Sequence, residues 1–311
     1  MTTALYTHPD SLLHLTPPGH PECVARQEAI DKALSAPDFA TLLRLESPMC
    51  QDADILRCHP QSHLDTIRAA SPDQGYRALD ADTHMSPGSL SAAMRAVGAN
   101  VAAVDKVMHG EVANAFIAMR PPGHHAETAT PMGFCFFGNI AIAAKHALDH
   151  HGLSRVAIID FDVHHGNGTQ DLVWRDERIL FASTHQMPLY PGTGAASETG
   201  AHGNVLNVPL EPGANGQQFR QKMRDIVLPA VTAHQPEMLF ISAGFDAHRD
   251  DPLANLNLVE DDFVWATHQI CDIADTSAKG RVVSTLEGGY DLAALAASAA
   301  AHIQVLMERG A

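Results

Sequence analysis

The sequence predicts an α/β protein built on a parallel sheet with helices on both faces. Short apolar runs alternate with helical patterns through the centre and second half of the chain. Such alternation is the signature of parallel strands joined by crossover helices. Those runs are nearly continuous in apolar residues, as strands buried on both faces require. The polar clusters follow them directly, at the carboxyl ends of strands, where open α/β sheets bind their ligands.

The elements follow in order. The first hundred residues are the least regular, with helical patterns over 21–35 and 86–110, the second opening at a Ser86-Pro87 cap. Strands are read at 114–120, 155–163, 178–184, 204–210, 237–245 and 281–289. Helices are read at 139–152, 215–234 and 258–278. The stretch DLAALAASAAAHIQVLM, beginning at Asp291, reads as a packing helix too short to cross a bilayer. No repeat, charge block or Pro/Ser-rich linker divides the chain, so residues 1–311 are expected to form a single domain.

Charge narrows the partners. The chain carries a net charge of −16 with histidines neutral. A surface this acidic repels nucleic acid and attracts cationic ligands. The five cysteines form no C-x-x-C pair and their number is odd, so a reducing, cytoplasmic setting is expected. MTTALYTHPD has no basic segment followed by an apolar core, and is read as no signal peptide; no membrane association is expected.

The chemistry concentrates in IIDFDVHHGNGTQ, residues 158–170. Asp160, Asp162 and His164 recur at a spacing of two, which puts them on one side of an extended chain. Buried without a compensating partner, two carboxylates and an imidazole would be costly. A cation resolves the cost, and GFDAH at 244–248 supplies another carboxylate, Asp246, at a second strand end. Asp162, His164 and Asp246 are therefore the expected metal ligands, a set suited to Zn2+ or Fe2+. Adjacent His124 and His125 in RPPGHHAE could divide base and acid duties between them, with Asp160 and Asn167 as their candidate partners. By itself, GHH would read as a loop with structural histidines. Tyr290 in EGGYD follows two glycines that allow close approach or φ > 0, and its phenol could donate to a developing oxyanion. No phosphate loop, dinucleotide fingerprint, G-x-S-x-G elbow or recognisable nucleophilic cysteine is present, so the candidate nucleophile is an activated water.

With RPPGHHAE, GFCFFGNIAIAA, DFDVHHGNGTQ, YPGTG, SAGFDAHRDDPL and EGGYD together, the chain resembles the histone deacetylase family, including bacterial deacetylase-like and acetylpolyamine amidohydrolases. The resemblance implies a single-domain arginase/deacetylase-type α/β fold with a mainly parallel, eight-stranded sheet and helices on both faces, and zinc-dependent hydrolysis of acyl-lysine amides. It implies metal binding by Asp162, His164 and Asp246, with His125 as general base–acid and His124 as its more electrostatic neighbour. Asp160 stands behind His124, and Tyr290 polarises the carbonyl. Gly133, Phe134 and Tyr190 match the acyl-lysine channel, with Leu189 where a second aromatic often stands. Asp82 resembles a rim position of a substrate-binding loop. A structural K+ is implied at Asp160, Asp162, His164, Ser183 and Thr184, and Arg26 matches an arginine of an internal cavity beneath the metal. Asn167 replaces the carboxylate of class I enzymes, which suggests the class II branch. Leu253 stands where polyamine-selective relatives can carry glutamate, which favours acyl-lysine over acetylpolyamine. The expected partner is an acylated lysine peptide or a small acylated amine.

Overall fold

A computed structural model describes residues 2–311. The strands are β1 (Thr3–Thr7), β2 (Leu43–Glu46), β3 (Arg77–Ala78), β4 (His84–Met85), β5 (Asn114–Ile117), β6 (Val156–Asp160), β7 (Ile179–Gln186), β8 (Val205–Leu210), β9 (Leu239–Ala243) and β10 (Val282–Leu286). Eight of them make one sheet in the order β2-β1-β5-β10-β9-β6-β7-β8. Every pairing in it is parallel. β3 and β4 form a separate small antiparallel pair. The expected all-helix-covered parallel sheet is what the chain builds.

Apolar cores lie on both faces, and β6 shows how its side chains divide between them. Val156 and Ile158 join one core; Ala157 and Ile159 join the other, as do Phe161 and Val163 beyond the strand end. The strand stops at Asp160, earlier than the 155–163 reading, yet the two-residue alternation persists through Val163.

Three other expectations change. β1 and β2 were not among the strands read from the sequence. The helix expected over 215–234 is interrupted by a π-helical turn, Met223–Val227, between Gly216–Lys222 and Leu228–His234. Pro229, near the start of the last segment, has no N–H to continue the regular ladder. Finally, Gly88 rather than Ser86-Pro87 caps the helix Ser89–Met108. A Cβ at Gly88 would lie 2.4 Å from that of Leu13, so the chain passing there requires glycine. Among the described residues, no helix is long and apolar enough to cross a membrane.

Candidate active site

The four central strands β5, β10, β9 and β6 lie side by side, and each is followed by one polar cluster of the sequence. Their carboxyl ends therefore bring together segments more than a hundred residues apart.

Asp162, His164 and Asp246 converge, with one ligand atom from each lying within 4.8 Å of the others. The carboxylates are fully buried. Nδ1 of His164 is 3.2 Å from Asp162 Oδ1 and 3.0 Å from Asp246 Oδ2. Backbone N–H groups hold the carboxylates in place: Gly288 donates to Asp162 Oδ2 at 2.8 Å and Val163 to Asp246 Oδ1 at 2.9 Å. Glycines clear the space. A Cβ on Gly288 would stand 2.1 Å from Asp246 Oδ2, and one on Gly244 would stand 2.0 Å from Asp162 Oδ2. Burial alone would lower the pKa of His164, but its hydrogen bonds to Asp162 and Asp246 raise it to about 10. This spot strongly attracts positive charge. Two carboxylates and one imidazole, free of any lysine or arginine ion pair, suit a divalent cation.

His124 and His125 have ring centroids 4.0 Å apart but different partners. His124 Nδ1 is 3.0 Å from Asp160 Oδ2. His125 Nδ1 is 2.7 Å from Asn167 Oδ1. The Asn167 amide is oriented by its own donation to Glu127 Oε1 at 2.8 Å, so its oxygen faces His125. Nδ1 of His125 must then be the protonated nitrogen, leaving a lone pair on Nε2. Burial opposes charge on both rings. Around His124 the Asp162 and Asp160 carboxylates overcome it and hold the pKa well above the ordinary value. His125 has no such carboxylate on its ring, and burial followed by the His124 and His164 imidazoles drives it well below.

Tyr290 sits at the end of the β10 segment, one residue before Asp291, whose side chain caps the helix Leu292–Gly310. Gly289 before it has φ +124°, a conformation that favours glycine. The Tyr290 and Asp291 N–H groups both donate to Asp251 Oδ2, at 2.7 and 3.3 Å. Burial keeps the phenol protonated, well above its ordinary pKa.

A cavity of about 240 Å³ leads to these groups, walled by Asp82, Gly133, Phe134, Leu189, Tyr190 and Leu253 and reaching His125, His164 and Tyr290. Tyr190 meets His125 edge-on at 5.2 Å, and Phe134 meets Tyr290 at 5.9 Å. Gly133 has φ +56°, and a Cβ there would stand 2.4 Å from the His125 ring, so glycine is required for the loop to pass the histidine. Both Leu189 and Tyr190 line the wall where the sequence reading chose Tyr190 alone.

Ser183 and Thr184 lie on β7 beside the end of β6, with Asp160 paired to Ser183 in register. Thr184 Oγ1 is buried without a hydrogen-bond partner. Among the described residues, the carbonyl oxygens of Asp162 and His164 accept no hydrogen bond.

Sequence reading passed over several buried ionic groups. Glu287, in the same EGGYD motif, accepts from the N–H groups of Gly123 and His124 at 2.7 and 3.1 Å, tying the histidine loop to β10. Burial raises its pKa to about 7. Glu22 joins Arg26 and Arg120 in a fully buried network, and Arg26 donates to the carbonyls of Gly289 and Glu287 at 2.6 and 2.5 Å. The Arg26 guanidinium lies 4.9 Å from the Tyr290 ring centroid. A glutamate directly after a buried strand was the available signal for Glu287. Glu22 offered none beyond its place four residues before Arg26.

A family described as the histone deacetylase domain matches residues 20–306. An uncharacterized protein of Synechocystis is 45% identical, with the match covering 95% of this chain and 96% of that one. The histone deacetylase-like amidohydrolase of Pseudomonas aeruginosa is 41% identical, over 88% of this chain and 73% of its own length. The crystal structure of the HDA15 HD domain superposes with a TM-score of 0.94 at 33% identity, covering 99% of this chain and 88% of that one.

Proposed function

The chain belongs to the histone deacetylase family and is a deacetylase-type amidohydrolase, and we propose that it removes acetyl or other acyl groups from lysine side chains. The channel carries this reading: Phe134, Leu189, Tyr190 and Leu253 give it apolar walls, and it reaches His125, His164 and Tyr290. Such walls suit an apolar stem, and each buried CH₂ contributes about 0.8 kcal/mol.

Asp162, His164 and Asp246 would hold a divalent ion, Zn2+ in our reading with Fe2+ as the alternative. Bound there, that ion supplies a Lewis acid and makes water acidic enough to attack at neutral pH. Everything else falls to the protein. His125 offers the Nε2 lone pair to take the proton of the attacking water, then returns it to the departing amine. His124, paired with Asp160, holds positive charge beside the reacting atoms. Tyr290 donates its phenol O–H to the carbonyl oxygen as negative charge develops. Asp251 fixes the backbone of Tyr290, and the walls exclude bulk water. A structural K+ fits Asp160, Asp162, His164, Ser183 and Thr184, supported by the unpartnered Thr184 hydroxyl and the free carbonyls at 162 and 164. A reducing, cytoplasmic setting suits the five free cysteines.

Asp82 favours a second substrate class, because it lines the channel, where an acidic residue could meet the distal ammonium of an acetylpolyamine. The deciding experiment compares acetyl- and trifluoroacetyl-lysine peptides with acetylated putrescine, cadaverine and spermidine. Higher kcat/KM for the lysine substrates is expected, with a gain on polyamines in Leu253→Glu. Preference for an acetylpolyamine by about tenfold, some 1.4 kcal/mol, would overturn the lysine assignment and leave the hydrolytic reading standing.

Asn167 gives a separate prediction. In Asn167→Asp a carboxylate would face His125 Nδ1 and favour the imidazolium. The base works when neutral, so the acidic limb of the kcat/KM–pH profile should move to higher pH. An unmoved limb would remove His125 as the base reported by that limb.

A further inference from the structure

We propose that Asp105, His146, His150 and His151 form a second metal site, for Zn2+ or a closely similar transition ion, remote from the catalytic channel. The site joins two helices that pack on the same core. Asp105 lies in the last turn of Ser89–Met108, and His146 in the last turn of Asn139–Asp149. His150 caps the second helix with helical dihedrals, and His151 follows it. One ligand atom from each of the four lies within 4.8 Å of the others.

The local sequence builds this arrangement. His146 and His150 are one helical turn apart, so their rings share a face. They stack at 4.8 Å with an interplanar angle of 12°. His151 stands across that stack, 4.9 Å from His150 at 87°. Asp105 Oδ1 meets Nε2 of His146 and Nε2 of His151, each at 2.7 Å. His146 is buried and its Nδ1 has no partner, so the polar interaction of the ring is made through Nε2.

Three imidazole nitrogens and one carboxylate oxygen make a tetrahedral donor set of the kind zinc takes. With bonds of about 2.0–2.1 Å, tetrahedral donors stand roughly 3.3 Å apart. The two 2.7 Å contacts are hydrogen bonds in which a proton occupies the place of the ion. A modest retreat of the rings admits the metal, and the exposed His150 is free to swing in as the fourth donor. The bound ion would pin the carboxyl-terminal ends of the two helices to each other.

The test is zinc and cobalt titration of the full chain after chelator stripping, read by bound ions per chain, by the Co2+ absorption spectrum and by the zinc-induced rise in Tm. Wild type should bind one ion more than His150→Ala/His151→Ala. Asp246→Ala, altered only at the channel, should keep the ion of the histidine cluster. His150→Ala alone touches an exposed side chain and leaves the fold unburdened. It should weaken zinc binding at the cluster by at least about tenfold, the lower end of losses seen even for residues outside the ligand shell. Equal ion counts and equal zinc-induced Tm rises in wild type and the double variant would overturn the site. Unchanged cluster affinity in His150→Ala would overturn the four-ligand assignment.

Discussion

Asp246→Ala is expected to lose both the divalent ion of the channel and turnover. Asp246 is fully buried, and its two oxygens face Val163 N–H and the His164 ring. Removing it strips the proposed ion of one of three ligands and leaves His164 without its second carboxylate. The loss of rate should exceed the about 10²–10³ of a single oxyanion donor, because the whole electrophile goes. Breaking one side of a buried charged pair can also cost about 3–5 kcal/mol of stability. Asp246→Asn keeps the shape and separates these effects: folding should be retained while the ion is still held poorly. Elemental analysis of dialysed protein checks the first point and thermal denaturation the second. Full retention of the channel ion in both variants would remove Asp246 from the ligand set.

Tyr290→Phe should reduce kcat by about 10²–10³, equivalent to roughly 2.7–4 kcal/mol of transition-state stabilisation, with little change in Tm. The small stability effect follows from the geometry. Among the described residues the phenol oxygen makes no hydrogen bond, while Asp251 holds the backbone and Phe134 and Arg26 flank the ring. Those contacts survive loss of the hydroxyl. Near-normal turnover in this variant would rule out the donor role.

The central strands were legible because burial on both faces leaves a continuous apolar run, as in Val156–Asp160. β1 escaped notice because TALYT offers only a few apolar residues between polar ends, although four of its five residues are buried. β2, LRLE at the sheet edge, has no buried residue and no such run. The convergence of DFDVHHGN, GFDAH, RPPGHH and EGGYD was legible because each follows a strand. What held them together was less so. The roles of Glu287 and Asp251 depend on backbone N–H groups brought from elsewhere by the fold, and no local spacing encodes those. Gly88 and Gly244 look ordinary in sequence; only the neighbour that each must avoid explains them.

The position of β10 has a consequence for how the protein is made. It is the last strand in the chain, yet it lies between β5 and β9 in the middle of the sheet. Until residues 282–286 leave the ribosome, the remaining strands can form only two separate half-sheets, β2-β1-β5 and β9-β6-β7-β8, each with an open edge where β10 belongs. Such edges invite pairing with other chains. The histidine pair follows a strand of one half, while Asp162, His164 and Asp246 follow strands of the other. A nascent chain stopped before Val282 therefore holds no joined site, and no activity can begin until that strand has taken its place.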